Sequence, residues 1–306
     1  MDMPAIVTQM AILVILMVAG FVCAKLKLTG PAFNKAVSPV VMNVLLVATI
    51  LSSVMGTELT LSFPEIMTII GFMTIMICLC GVIGVITPKL FRINGGDAGL
   101  VTMMVMFMNS VFVAFPVIQS IYGREGIFYA SMSNIPFNAL LYTYGLAKVR
   151  GGVNGWQDAR KILSPPLVAT VIAIVIFLTE LQVPEFIARS CSTLGSATIP
   201  MSMLVVGTSL GGVALKEMVR DWKIYIVSAA RLLVCPVLVW AVMRLFVTDI
   251  MTLHILVILA SAPVAMIASI LTIQYDRNEA LASKSVFIST LLSSVTMPFM
   301  IWLLLM

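Results

Sequence analysis

The sequence predicts an all-α integral membrane fold: ten transmembrane helices in a five-plus-five inverted repeat, with helices four and nine broken near their centres. Three observations carry that prediction. Hydrophobic residues make up 61% of the 306 residues and charged residues 10%, against about 25% charged in a soluble domain, and mean hydropathy is +1.12. Ten apolar runs of bilayer-crossing length, at ~1.5 Å per residue, alternate with short polar connections. Two of those runs, one in each half, are interrupted mid-run by proline and polar residues.

The runs are approximately Ala5–Ala24, Val37–Met55, Ile66–Thr87, Leu100–Tyr122, Ile127–Lys148, Pro165–Leu181, Leu194–Leu215, Ile224–Phe246, Leu253–Gln274 and Val286–Leu305. The first has no basic stretch before it and is followed by Lys25 and Lys27, so it reads as a retained span rather than a signal peptide. The longest connection lies mid-chain. It divides the sequence into a first repeat over 1–150, a cytoplasmic loop over 151–164 and a second repeat over 165–306. Connections after odd-numbered runs hold fourteen basic residues: Lys25, Lys27, Lys35, Lys89, Arg92, Lys148, Arg150, Arg160, Lys161, Lys216, Arg220, Lys223, Arg277 and Lys284. The other side holds three, Arg124, Arg189 and Arg244. Basic loops stay cytoplasmic, which places both termini outside the cytoplasm of a multi-pass inner or plasma membrane protein. Five helices per repeat is an odd number, so the second copy enters the membrane upside down. Pro31 and Pro184 are 153 residues apart, and Pro116 and Pro263 are 147 apart, each close to half the chain.

The breaks hold the candidate chemistry. Asn109, Ser110 and Pro116 interrupt run four; Ser261 and Pro263, with Ala265 and Met266 following, interrupt run nine. Irregular backbone at membrane depth survives only inside protein or beside an aqueous cavity. Proline is tolerated where a helix opens, because its missing N–H is unpaired there anyway. Pro116 and Pro263 are therefore expected to open the second half-helices, each N-terminus carrying roughly half a positive charge. Such paired breaks mark the substrate site of many secondary carriers and suit an anion. Ordinary proline kinks are the competing reading. In run five, Asn134, Asn138 and Tyr142 are spaced four apart and share a helical face; they suit a carboxylate or interhelical hydrogen bonds. Asn43 in run two, Pro200 in run seven and Arg231 in run eight are expected scaffold or gating residues. Arg231 is the one charge clearly inside a run, serving substrate and gating or snorkelling to the interface.

The five cysteines and the single His254 have no metal-ligand spacing, so neither metal nor cofactor is expected. The net charge of +5 follows the loops and has no basic cluster, which argues against nucleic acid. The expected partners are a small organic anion and the lipid bilayer, and a homodimer is compatible with the sequence.

Four segments carry a family resemblance: Leu194 to Gly207 (LGSATIPMSMLVVG); Asn109 and Pro116 with Ile121 to Gly126 (IYGREG); Ala262-Pro263 with Tyr275, Asp276 and Ala282-Ser283; and Ser289 to Pro298 (STLLSSVTMP). Together they resemble the auxin efflux carrier family of plant PIN carriers, in its bacterial-type form. The resemblance implies that helices four and nine cross. It also implies a scaffold of helices one, two, six and seven beside a moving transport domain, and ligand roles for Asn109, Asn138 and Tyr142. The chain departs from the family at Val111 and Ala114, where glycines are common, and at Ala268, where plant members carry a second proline; these bear on pocket size and substrate. The expected function is alternating-access transport of a carboxylate such as malonate or malate, by electrogenic efflux or uniport. A membrane sensor for a small anion, or a carrier coupled to protons or sodium, are the other readings; an enzyme would need a His–carboxylate or metal constellation.

Overall fold

The computed structural model describes residues 3–55, 61–150, 163–211 and 221–305. Regular structure in them is helical, apart from one isolated antiparallel bridge between Met108 and Val264. The α-helices are α1 (Met3–Lys25), α2 (Pro31–Val40), α3 (Leu46–Ser52), α4 (Phe63–Leu90), α5 (Gly96–Met106), α6 (Phe115–Ser131), α7 (Asn134–Leu140), α8 (Leu146–Arg150), α9 (Pro165–Leu178), α10 (Glu185–Ser196), α11 (Thr198–Gly211), α12 (Trp222–Ala229), α13 (Cys235–Met243), α14 (Ile250–Ser261), α15 (Ile267–Gln274) and α16 (Glu279–Leu305). Four π-helical segments join some of them: Val41–Leu45, Ser110–Ala114, Leu141–Gly145 and Ala230–Val234.

Five helical stretches among the described residues are long and apolar enough to cross a membrane: Pro31–Ser52, Phe63–Leu90, Glu185–Gly211, Trp222–Met243 and Glu279–Leu305. Ala11–Lys25, α5, α9 and α14 are apolar but shorter. α5 and α14 are short because each stops at its break. α9 turns Val168, Val171, Ile172, Val175 and Leu178 outward. That is a helical stripe of large aliphatic side chains, the face a helix presents to lipid. The expected cytoplasmic loop lies, over 151–162, outside the described residues.

The chain forms two compact units. The first comprises Met1–Gly71, Val111–Ile135 and Leu163–Val213. Its tightest packing sets α1 against α11, where small residues let backbones touch. A Cβ at Gly207 would lie 1.9 Å from Met17 O, and one at Gly20 would lie 2.5 Å from Leu204 O. Thr49 Oγ1 in α3 meets Thr198 Oγ1 at 2.7 Å and donates to Gly195 O at 3.2 Å. Such close approaches replace the hydrophobic drive that lipid cannot supply. Gly207→Val is therefore expected to separate α1 from α11, destabilising the protein by at least about 1–3 kcal/mol. A lower melting temperature and poorer recovery of monodisperse protein in detergent would report it. Gly71→Ala, where an added Cβ meets nothing within 4 Å, should melt like the parent.

Val111–Ile135 joins this first unit, although the resemblance placed all of helices four and five in the other body. Specific contacts hold it there. Arg124 donates to Ser192 Oγ at 2.8 Å, the Phe128 and Phe177 rings lie 5.0 Å apart, and Asn134 Nδ2 donates to Thr170 Oγ1 at 3.2 Å. Otherwise the first unit holds the segments of helices one, two, six and seven, together with Phe63–Gly71 at the start of α4, which belongs to helix three.

The second unit comprises Phe72–Ser110, Pro136–Ile162 and Ala214–Met306. At one end of it Asp97, in the first turn of α5, pairs with Lys223 Nζ at 2.7 Å and accepts from Asn278 Nδ2 at 3.0 Å. These bonds tie together the starts of α5, α12 and α16. A Cβ at Gly99 would lie 2.1 Å from Lys148 O, so the backbone of α5 runs directly against α8. Both broken stretches belong to this unit as far as Ser110 on the first and throughout on the second.

Candidate functional site

α5 ends at Met106, and Phe107 turns extended, with φ −104 and ψ 125. α14 ends at Ser261, and Ala262 turns extended, with φ −70 and ψ 150. Ala262 precedes Pro263, and the proline ring drives its predecessor out of helical conformation. The two extended stretches pair antiparallel. Asn109 N–H donates to Pro263 O at 2.8 Å, and Ala265 N–H donates to Phe107 O at 3.1 Å, with Met108 opposite Val264. Pro263 has no N–H to give and contributes only its carbonyl. Val264 N–H donates instead to Ser289 Oγ on α16, at 3.2 Å. Backbone leaving the helix at buried depth thus finds partners within the unit, as burial away from water demands.

Arg231 lies behind this pairing. It is fully buried, at 0% exposure, so it does not snorkel. Its Nε donates to Ala262 O at 2.9 Å, Nη1 to Val105 O at 3.1 Å and Nη2 to Leu259 O at 3.2 Å. Val105 is in the last turn of α5, and Leu259 and Ala262 are at the end of α14. One guanidinium fork therefore caps the C-terminal ends of both half-helices. Each end carries roughly half a negative charge, so the two together match the single positive charge of the arginine. The Cys80 and Cys235 thiols touch each other beside it, and Cys235 Sγ is 3.9 Å from the same Val105 O. Both are buried, whereas Cys78 is exposed.

Each π segment carries a candidate residue read from the sequence: Asn43, Ser110, Tyr142 and Arg231. π turns recur at functional positions because the extra residue re-aims a side chain. The placement of two of them follows from proline chemistry. Pro116 and Pro236 each stand two residues beyond a π segment, Ser110–Ala114 and Ala230–Val234. A proline inside a helix clashes with the turn before it, and a widened turn relieves the clash. Pro116 is accordingly not at the break itself. It sits in the first turn of α6, after helical structure has already resumed at Ser110. Pro263 lies within the extended break, four residues before α15 begins.

The structure brings several predicted residues together at the pairing. Asn109 and Ser110 are buried at 4% exposure, Ala265 is buried, and Pro263 is part of the pairing itself. Met266, just beyond, is half-buried. Ser261 is buried, but its hydroxyl is taken by Val257 O at 2.7 Å in its own helix. Asn138 is buried and Tyr142 half-buried, both in the second unit. Asn134 belongs to the first unit, and its amide serves the Thr170 contact. Asn43 is exposed, and Pro200 is half-buried in the first turn of α11, where its missing N–H costs little. Sequence reasoning missed two supports of the pairing, Ser289 and Phe107. Ser289 opens the STLLSSVTMP segment, but its partner, a backbone N–H next to a proline, leaves no trace in composition. Phe107, fully buried, meets Phe137 edge-on at 5.4 Å.

Residues 5–301 match the family described as membrane transport protein. The chain belongs to that family, the auxin efflux carrier or PIN-like family. An uncharacterized transporter of Methanothermobacter thermautotrophicus is 28% identical over 296 residues, covering 95% of each chain. A second uncharacterized transporter, from Methanocaldococcus jannaschii, is 24% identical over 306 residues, covering 96% of this chain and 97% of its own. This member of the PIN-like family is thus a multi-pass membrane transporter rather than an enzyme, and its apolar helices agree with that.

Proposed function

We propose that this protein is a secondary carrier that moves a small organic anion, a carboxylate of the malonate or malate kind, by alternating access. The observation that carries this reading is the antiparallel pairing of the two breaks, Asn109 to Pro263 and Phe107 to Ala265. It fixes two helix C-termini on Arg231, and the second half-helices resume at Ser110 and Ile267, within three residues of the pairing. Helix N-termini favour anions, and Asn109 and Ser110 add amide and hydroxyl groups beside them. Five-plus-five inverted-repeat symmetry accounts for paired breaks in opposite halves. Purified protein in liposomes loaded with unlabelled malonate or malate should accumulate the labelled anion by saturable counterflow. Binding without counterflow would point to a sensor, and an inert protein would sink the reading.

We further propose the orientation given by the loop charges, with 151–164 cytoplasmic and both termini outside. In a cysteine-free variant of whole cells, Asn154→Cys should resist an impermeant maleimide added outside and react once the cells are opened. Ready labelling of intact cells would reverse the topology.

A further inference from the structure

We propose that Arg231 sets the anion preference of the paired breaks. Its charge cancels the two carbonyl ends that meet there, leaving the N-terminal side of the breaks net positive. This rests on the carrier reading above and adds the group that makes the site electrostatically one-sided. Arg231 is fully buried, and its three hydrogen bonds all run to main-chain carbonyls. Among the described residues no carboxylate pairs with it. A buried charge without a counter-ion is otherwise costly, and here two helix C-termini, about half a negative charge each, supply the compensation.

The consequence follows from what would remain without it. Two carbonyl ends packed together at buried depth would present about one negative charge to any ligand at the breaks. They would oppose the anion that the resuming helices attract. With Arg231 in place the carbonyl ends are neutralised. The positive ends at Ser110 and Ile267, together with buried Asn109, then act unopposed. The arginine donates to the backbone that shapes the site, so it is a positioning and charge-setting residue. A plain structural clamp would need the fork's geometry. The proposed role needs its charge.

Two substitutions separate these. Arg231→Gln keeps hydrogen-bond donors and loses the charge, while Arg231→Lys keeps the charge and loses the fork. Binding of malonate to the purified proteins is read by thermal shift at low, matched ionic strength, and counterflow is read separately in liposomes. Arg231→Gln should weaken malonate binding about tenfold or more, and Arg231→Lys should stay within a few-fold of the parent even if both melt earlier. Equal weakening in both would show that only the fork matters and would overturn the proposal; so would Arg231→Gln binding like the parent. Ligand charge on the unmutated protein gives a second test that needs no folded variant. Malonate should stabilise more than its monomethyl ester, and malonamide should stabilise hardly at all. Equal shifts for malonate and malonamide, or no shift with any of the three, would overturn it. Counterflow failing while these binding results hold would remove the carrier reading and leave the role of Arg231 standing.

Discussion

Asn109→Ala and Asn138→Ala will each weaken malonate or malate binding by roughly 10- to 150-fold while leaving the fold intact. That range is the loss of one hydrogen bond to a charged group, about 1.5–3 kcal/mol. The structure explains why folding should survive at Asn109. Its part in the pairing is made by the backbone N–H, which donates to Pro263 O at 2.8 Å and is untouched by truncating the side chain. Asn138 is 7% exposed on α7, in the second unit. Two controls sharpen the test. Ser261→Ala removes a hydroxyl already given to Val257 O and should bind within about twofold of the parent. Asn134→Ala breaks the contact to Thr170 and should lower the melting temperature more than the affinity. Equilibrium binding on purified protein reads all four. If both asparagine variants bind like the parent, the pocket is elsewhere.

The contrast among these residues shows what a sequence of this kind discloses. Membrane burial and the position of the breaks were legible, because lipid forces apolar composition and proline forces departure from the helix. The short α5 and α14 end where Asn109 and Pro263 foretold an interruption. The role of each polar residue was not legible. Asn134 and Asn138 are equivalent by spacing, yet Asn134 bonds Thr170 within the first unit and Asn138 belongs to the second. Ser261, a candidate ligand, donates its hydroxyl to Val257 O in its own helix. Arg231 could have snorkelled or turned inward, and only the positions of Val105, Leu259 and Ala262 decide it. Its partners are main-chain carbonyls of segments 28 or more residues away. Carbonyls are the same for every residue type, so no side-chain pattern encodes them. Pro116 misled for a related reason. Its missing N–H is absorbed by a π turn, a device that sequence spacing alone does not separate from a helix start.

Flux through the protein will reverse with membrane voltage and will not need a proton or sodium gradient. The sequence supplies the first reason. In the sequence its acidic residues, Glu58, Glu65, Asp97, Glu125, Asp158, Glu180, Glu185, Glu217, Asp221, Asp249, Asp276 and Glu279, fall between the apolar runs or at their edges, with Asp2 near the N-terminus. Proton-coupled carriers commonly hold a carboxylate at mid-membrane depth. The structure supplies the second. The charge buried against the paired breaks is Arg231, and the helix carbonyls balance it, so an anion arriving there needs no accompanying cation. Net charge then moves with each cycle. A potential of ~100 mV is worth ~2.3 kcal/mol per charge, a gradient of roughly 50-fold for a monovalent anion. With the cell interior negative, that drive points outward. The measurement uses liposomes with a potassium-set potential and equal pH and sodium on both sides. Labelled malonate should move toward the positive side, and inverting the potassium gradient should invert its direction. Flux that ignores the imposed voltage but follows a proton or sodium gradient would refute the electrogenic mechanism. It would direct attention to a coupling site built from the neutral groups at the paired breaks, where carbonyls and hydroxyls such as Ser289 Oγ are the available cation ligands.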